Sequence, residues 1–318
     1  MNGKRIFKTA MLLLPGFLLR AQEKNDYHVL HFVSAHTSFP DTGRAKDWLD
    51  GDGVLRPVAG HYDDNSVLLV VPDGLKPDGP VDLVFWFHGW HNSIDTALEF
   101  YGLARQFAAS KRNAVLVLAE AAKNSADSYG GKLKQKGMFK GLVNDVMAEL
   151  REKGVVAGVA GVTGAPGHIV LAGHSGGFLV IANILANGQV PVDEVFLFDA
   201  LYSQVPIFMS WIDAGKSRID GGESRTDPGK GGHHFVHWFT NHGGGTDQMT
   251  DTLMRRLESQ AIGYKLVEEN AVTPAIIRSN QVLLVHSLRE HNVIINNPDD
   301  FEVLLENSWV LRAPEGGK

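Results

Sequence analysis

The chain predicts a doubly wound α/β fold built on a mostly parallel, eight-stranded sheet. Three observations carry that reading. Short apolar runs alternate with segments of helical period along nearly the whole sequence. The middle runs are continuously apolar, as strands buried on both faces must be. One of them passes directly into a tight glycine-rich turn and then an apolar helix, at Gly173-His174-Ser175-Gly176-Gly177.

The elements follow in order. Residues 27–33 form the first predicted strand, and residues 66–71 the second, closed by Pro72-Asp73-Gly74. The third spans 82–87 and ends at His88-Gly89; the fourth spans 113–118. Residues 169–172, 194–198, 235–239 and 281–285 complete the set. Between the third and fourth strands, residues 93–110 carry Ala97, Leu98, Tyr101, Leu103, Ala104 and Phe107 at helical spacing. Residues 139–153 and 246–262 show the same period, through Leu142, Val146 and Leu150 and through Met249, Leu253 and Leu257. Residues 178–186 are apolar enough for a buried helix, stopped by Asn187-Gly188. Residues 220–232, rich in glycine, read as a surface loop. With no internal repeat and no low-complexity linker, residues 22–318 are expected to form one domain.

The 318 residues are 44% hydrophobic and 21% charged, the composition of a soluble globular protein. A formal charge of −6, with no basic run beyond the N-terminus, argues against nucleic acid as a partner, since phosphate binding needs a basic face. Lys4, Arg5 and Lys8 precede an apolar stretch, 10–19, that is too short to span a bilayer. Arg20-Ala21-Gln22 then offers a cleavage site after Ala21. Residues 1–21 are therefore expected to be an export signal, leaving a periplasmic or secreted protein with no stable membrane anchor. The absence of cysteine rules out disulfides and a lipid-modified cysteine, so stability must come from the core.

Gly173-His174-Ser175-Gly176-Gly177 has the G-x-S-x-G form of a nucleophile elbow. A serine used as a nucleophile must stand on a sharp turn between strand and helix, with its Oγ clear of the backbone. Small residues two before and two after it let strand and helix pass that closely. Together with Phe85-Trp86-Phe87-His88-Gly89-Trp90 and Leu197-Phe198-Asp199-Ala200-Leu201-Tyr202, this stretch resembles the α/β-hydrolase superfamily. Within it the chain is similar to exported bacterial esterase and lipase-like serine hydrolases. The resemblance covers nearly the whole chain from Tyr27 onward.

What the resemblance implies is a Ser-His-Asp hydrolase. Ser175 would be the nucleophile, with its base in the loop after the last strand. His286 and His291 both lie late enough. His286 continues the last strand and is expected to be held against the sheet, so His291 is the candidate base. Asp199, at the end of a wholly apolar strand, is the candidate acid. Asp247 is the alternative, although Thr246-Asp247 also reads as a helix cap; Asp251 is less favoured. The oxyanion hole is expected from the backbone N–H of Gly176 and that of Gly89 or Trp90. No cofactor is needed, and the expected partner is a small-molecule or polymer-derived ester. Amide or peptide cleavage by the same residues, or a non-catalytic binding protein on this fold, are the alternatives. His88 and His91, and His233, His234, His237 and His242, lack a recognised ligand spacing, and no metal is expected. Trp90, Trp211 and Trp238 are candidates either for a pocket wall or for the core. The polar segment 124–133 lies where site-forming loops gather.

Overall fold

A computed structural model of the chain describes residues 26–76, 79–156, 165–220, 232–241 and 246–314. The expected export signal, 1–21, and nearly all of the predicted glycine-rich loop lie outside the described residues. Among the described residues, no helix is long and apolar enough to cross a membrane.

The first half contains β1 (Tyr27–Val33), β2 (Trp48–Leu49), β3 (Leu55–Arg56), β4 (Ser66–Pro72), β5 (Asp82–Phe87), α1 (Ile94–Phe100), α2 (Leu103–Ala109), β6 (Ala114–Ala119) and α3 (Met138–Glu152). The second half contains β7 (Ile169–His174), α4 (Phe178–Asn187), β8 (Glu194–Phe198), α5 (Val205–Asp220), β9 (His234–Thr240) and α6 (Thr246–Ser259). It closes with β10 (Lys265–Glu268), α7 (Pro274–Ser279), β11 (Val282–Ser287) and α8 (Asp300–Glu306). Nine strands form one sheet in the order β1-β4-β6-β5-β7-β8-β9-β11-β10, and β2 and β3 pair separately. β4 pairs antiparallel with both its neighbours, and every other ladder of the large sheet is parallel.

Eight strands were expected, and the ninth is a correction. β10 is a four-residue edge strand, Lys-Leu-Val-Glu, largely exposed, so it carries no buried apolar run to betray it. The expected helix over 93–110 is also corrected, to two helices. Gly102 sits between them at φ +60, a left-handed conformation that ends α1 although the apolar period runs on through it.

Successive strand residues point to opposite faces of the sheet, and both faces are covered. Leu83, Phe85 and Phe87 of β5 pack with Phe139 and Leu142 of α3, Ile181 of α4, Phe208 of α5 and Leu257 of α6. Val84 and Trp86 pack on the other face with Ile94 of α1, Phe107 of α2, Ile277 of α7 and Phe301 of α8.

This topology places the site. The chain leaves β5 for β6 on one side and returns to β7 on the other, so the loops at the carboxyl ends of β5 and β7 diverge and leave a crevice.

Candidate active site

β7 runs straight into the elbow. Ser175 adopts φ +52, opens a single 3₁₀ turn to Gly177, and α4 follows. The flanking glycines are sterically required. A Cβ on Gly173 would stand 2.8 Å from Ile181 Cδ1 and 3.1 Å from the Phe87 carbonyl oxygen. A Cβ on Gly177 would collide with that same carbonyl, which is backbone and cannot swing away. Gly177→Ala is therefore expected to destabilise the fold by about 1–3 kcal/mol through overpacking, seen as a lowered thermal midpoint. An unchanged midpoint would mean that β5 can give way.

Strand register brings the next residue alongside. His174 pairs with Phe198 across β7 and β8, so Ser175 and Asp199 leave adjacent strand ends together. Asp199 is fully buried and lies at φ +44. Its Oδ2 accepts from His291 Nδ1 at 2.6 Å and from Thr240 Oγ1 at 2.7 Å. Its Oδ1 accepts from the Thr240 N–H at 3.1 Å and from Thr246 Oγ1. Burial alone would raise this carboxyl, but the hydrogen bonds from His291, Thr246 and Thr240 hold it below the usual carboxylate range. Asp199 thus fixes the His291 ring by its Nδ1 and leaves Nε2 uncommitted by that bond.

His174 steadies the same loop from beneath. Its Nε2 lies 2.9 Å from the His291 carbonyl oxygen and its Nδ1 3.0 Å from the Tyr101 hydroxyl. A carbonyl only accepts, so Nε2 carries the proton and Nδ1 accepts from Tyr101. The ring is neutral, and burial, together with His291 beside it, pushes it down to about 3.

On the other side of Ser175 lies the β5 loop. A Cβ on Gly89 would stand 2.6 Å from Ser175 Cβ and 3.1 Å from Gly176 N, so only glycine lets this backbone approach the elbow. Gly176 N–H belongs to the first turn leading into α4, where donors lack an intrahelical partner. Trp90 follows Gly89, 44% exposed, with its indole N–H donated to Ser128 Oγ at 2.7 Å. The residues expected to form an oxyanion hole, Gly176, Gly89 and Trp90, are therefore gathered around Ser175.

Ser175, His291, Gly176 and Trp90 line one cavity of about 700 Å³. Phe100, Tyr101, Phe178 and Tyr202 join Trp90 in its walls, with His91, Asn92, Thr96 and Asn292 as polar lining, and among the described residues no Lys, Arg, Asp or Glu lines it. Ser128, from the polar segment 124–133, contributes to the wall. Tyr202 was quoted above only within the stretch that follows Asp199. It lines the cavity together with Ser175, and burial and the Asp199 charge push its hydroxyl up to about 12. No sequence signal separates such a tyrosine from a core residue.

Other candidates lie elsewhere. Asp247 sits in the first turn of α6, beside the Thr246 that donates to Asp199, while His291 Nδ1 is taken by Asp199 itself. His286 is held in β11 between Glu268, at 2.9 Å, and Asn241, at 3.1 Å. His91 is the exception: it lines the cavity and pairs with Asp52 at 2.8 Å. His233 stacks on Trp211, and His234 is buried against Glu194 and stacked on Trp309. His237 lies between the Leu197 carbonyl and Thr250 Oγ1, and burial pushes it down to about 4. His242 lies outside the described residues. Among the described residues, no three His, Asp or Glu side chains group as a metal donor set. Trp211 and Trp238 are buried in the two core layers and do not line the cavity, so of the three candidate tryptophans only Trp90 reaches it.

No family model matches the chain, and no curated protein sequence matches it. Solved structures do. A mutant of the feruloyl esterase module from Clostridium thermocellum, complexed with sinapinate, is similar over 92% of this chain and 91% of its own, at 11% identity and a TM-score of 0.50. S-formylglutathione hydrolase from Staphylococcus aureus matches over 89% of this chain and 98% of its own, at 11% identity and a TM-score of 0.47. The fluorophosphonate-binding serine hydrolase F of the same organism matches over the same shares, at 11% identity and a TM-score of 0.46. At such identities the likeness speaks for architecture. A mostly parallel nine-stranded sheet flanked by helices, similar in three dimensions to the esterase module over nine-tenths of both chains, gives this protein the fold of the α/β-hydrolases.

Proposed function

We propose that the protein is a serine hydrolase that cleaves carboxylic esters through an acyl-enzyme. The observation that carries this is the buried Asp199 carboxylate, 2.6 Å from His291 Nδ1, on a cavity that Ser175 shares with that histidine. A serine hydroxyl is a weak nucleophile and needs a base whose ring is fixed in the correct tautomer. Asp199 accepts the Nδ1 proton and leaves Nε2 to take the Ser175 proton as Oγ attacks the ester carbonyl. The carbonyl oxygen, now negative, is received by the N–H groups of Gly176 and Trp90, with Gly89 allowing the approach. His291 returns the proton to the departing alcohol. Water, activated by the same histidine, then releases the acid.

The wall supports a class of substrate. It carries five aromatic side chains and, among the described residues, no Lys, Arg, Asp or Glu, so it favours an uncharged ester with an apolar acyl or alcohol part.

Turnover of p-nitrophenyl esters, from acetate to long-chain, tests the reading, together with mass-spectrometric mapping of a fluorophosphonate label. Hydrolysis with the label on Ser175 is expected. A protein inert to every ester and to the label would return the non-catalytic reading to first place.

A further inference from the structure

One buried polar contact near the site has no part in the proposed ester cleavage. His88, the residue after β5, and Glu120, the residue after β6, are both buried, and Nε2 of the one lies 2.7 Å from Oε1 of the other. The other ring nitrogen, Nδ1, lies 2.7 Å from the carbonyl oxygen of Gly89. A carbonyl can only accept, so Nδ1 carries a proton and donates it to Gly89. Glu120 is itself fixed. It accepts from the N–H of Ala121 at 3.2 Å and from that of Ile94, at the start of α1, at 3.3 Å. Lys123 Nζ stands 3.9 Å away. Burial alone would lower the His88 imidazole, but its bond to the Glu120 carboxylate raises it above the ordinary value. The ring is thus held at both nitrogens, Nδ1 on the Gly89 carbonyl and Nε2 on the Glu120 carboxylate.

The consequence runs through one peptide unit. The Gly89–Trp90 bond is not among the cis peptides, so it is trans and planar, and its C=O and N–H point in opposite directions. With the Gly89 carbonyl drawn onto His88 inside the core, the Trp90 N–H must face away from the core. Trp90 and Ser175 both line the cavity. Without His88 the peptide would be free to rotate, because glycine tolerates either orientation.

We infer that His88 and Glu120 are positioning residues that set the oxyanion-binding direction of the Trp90 N–H. Neither touches the substrate. The inference rests on the ester-hydrolase reading, and it predicts a loss confined to the transition state, where the oxyanion exists.

The test uses the p-nitrophenyl ester that the wild type turns over fastest. Glu120→Ala is expected to lower kcat by about 100-fold, the scale of one lost oxyanion donor, with KM little changed. Glu120→Gln still offers His88 a hydrogen-bond partner and is expected to restore most of that loss. A folded Glu120→Ala protein that keeps the wild-type kcat, or that loses activity only through KM, overturns the inference. If Glu120→Ala does not fold, the wild type decides by NMR. The Trp90 amide proton is expected to move downfield when phenylboronic acid forms its tetrahedral adduct on Ser175, and an unmoved resonance overturns the inference. A wild type that hydrolyses no ester and takes no fluorophosphonate label fails the functional reading instead, so the two failures are told apart.

Discussion

Ser175→Ala is expected to lower kcat toward ester substrates by about 10⁶-fold, and Asp199→Asn by about 10⁴-fold. The two losses differ because the residues do different things. Alanine removes the atom that forms the acyl-enzyme. Asparagine keeps the shape of the carboxylate but can present an amide N–H to His291 Nδ1, which would then accept and leave Nε2 protonated, unable to take the serine proton. The Thr240 backbone N–H enforces this, since it can only donate: it keeps the amide oxygen at the Oδ1 position and turns the amide NH2 toward His291. Asp247→Asn, in the first turn of α6, is expected to leave kcat near the wild-type value. Steady-state kinetics on the three variants, each checked for folding by circular dichroism, measures the contrast. An Asp247 variant more damaged than the Asp199 variant would reassign the acid.

A second large effect concerns stability in acid. His174 and His237 are buried and neutral, held down to about 3 and about 4 against an ordinary value of 6.5. Below about pH 6.5 the unfolded chain binds protons that the folded chain refuses, so stability falls as pH falls through the window from 6.5 toward those lower values. At about 1.4 kcal/mol for each unit of separation, the two histidines together remove several kcal/mol by the bottom of the window, a large part of an ordinary domain's stability. Asp199, held low by its hydrogen bonds, adds to the loss as its carboxylate protonates below its ordinary value. Asp300, pushed up to about 7 by burial, acts in the opposite sense over the same window, so the readout is the difference between two proteins. In urea unfolding from about pH 7 to about pH 4.5, the stability of the wild type relative to His174→Gln is expected to fall as pH falls. A difference between the two proteins that does not change with pH would remove the argument.

The elbow was legible because it combines constraints that few other turns combine. Gly173 and Gly177 sit where a side chain would strike Ile181 or the Phe87 carbonyl, and that need is written as glycine. The two-sided burial of β5, β6, β7 and β8 was legible for a similar reason, since every residue of these strands is buried and almost all are apolar. What was not legible depends on partners distant in sequence. Glu120 reads as one charged residue after an apolar strand, and only the β5–β6 ladder, with Trp86 opposite Leu118, shows that it meets His88. Tyr202 likewise gains its place beside Ser175 from the β7–β8 register. β2 and β3 are two residues long, below any period that a pattern can reveal. Gly102 ended a helix inside an unbroken apolar stripe, because side-chain period does not report backbone hand.

Among the described non-glycine residues with positive φ, Asp199 is the buried one, and Ser175 is its neighbour at the next strand end. Each holds a backbone conformation that costs a residue with a Cβ about 1 kcal/mol or more, and that glycine takes freely. At Asp199 glycine would relieve that strain but orphan the buried Thr240 and Thr246 donors, so the fold itself keeps the aspartate. In a lineage that stopped using the cavity, Ser175 would be the first of the two to drift toward glycine, while Asp199 stayed.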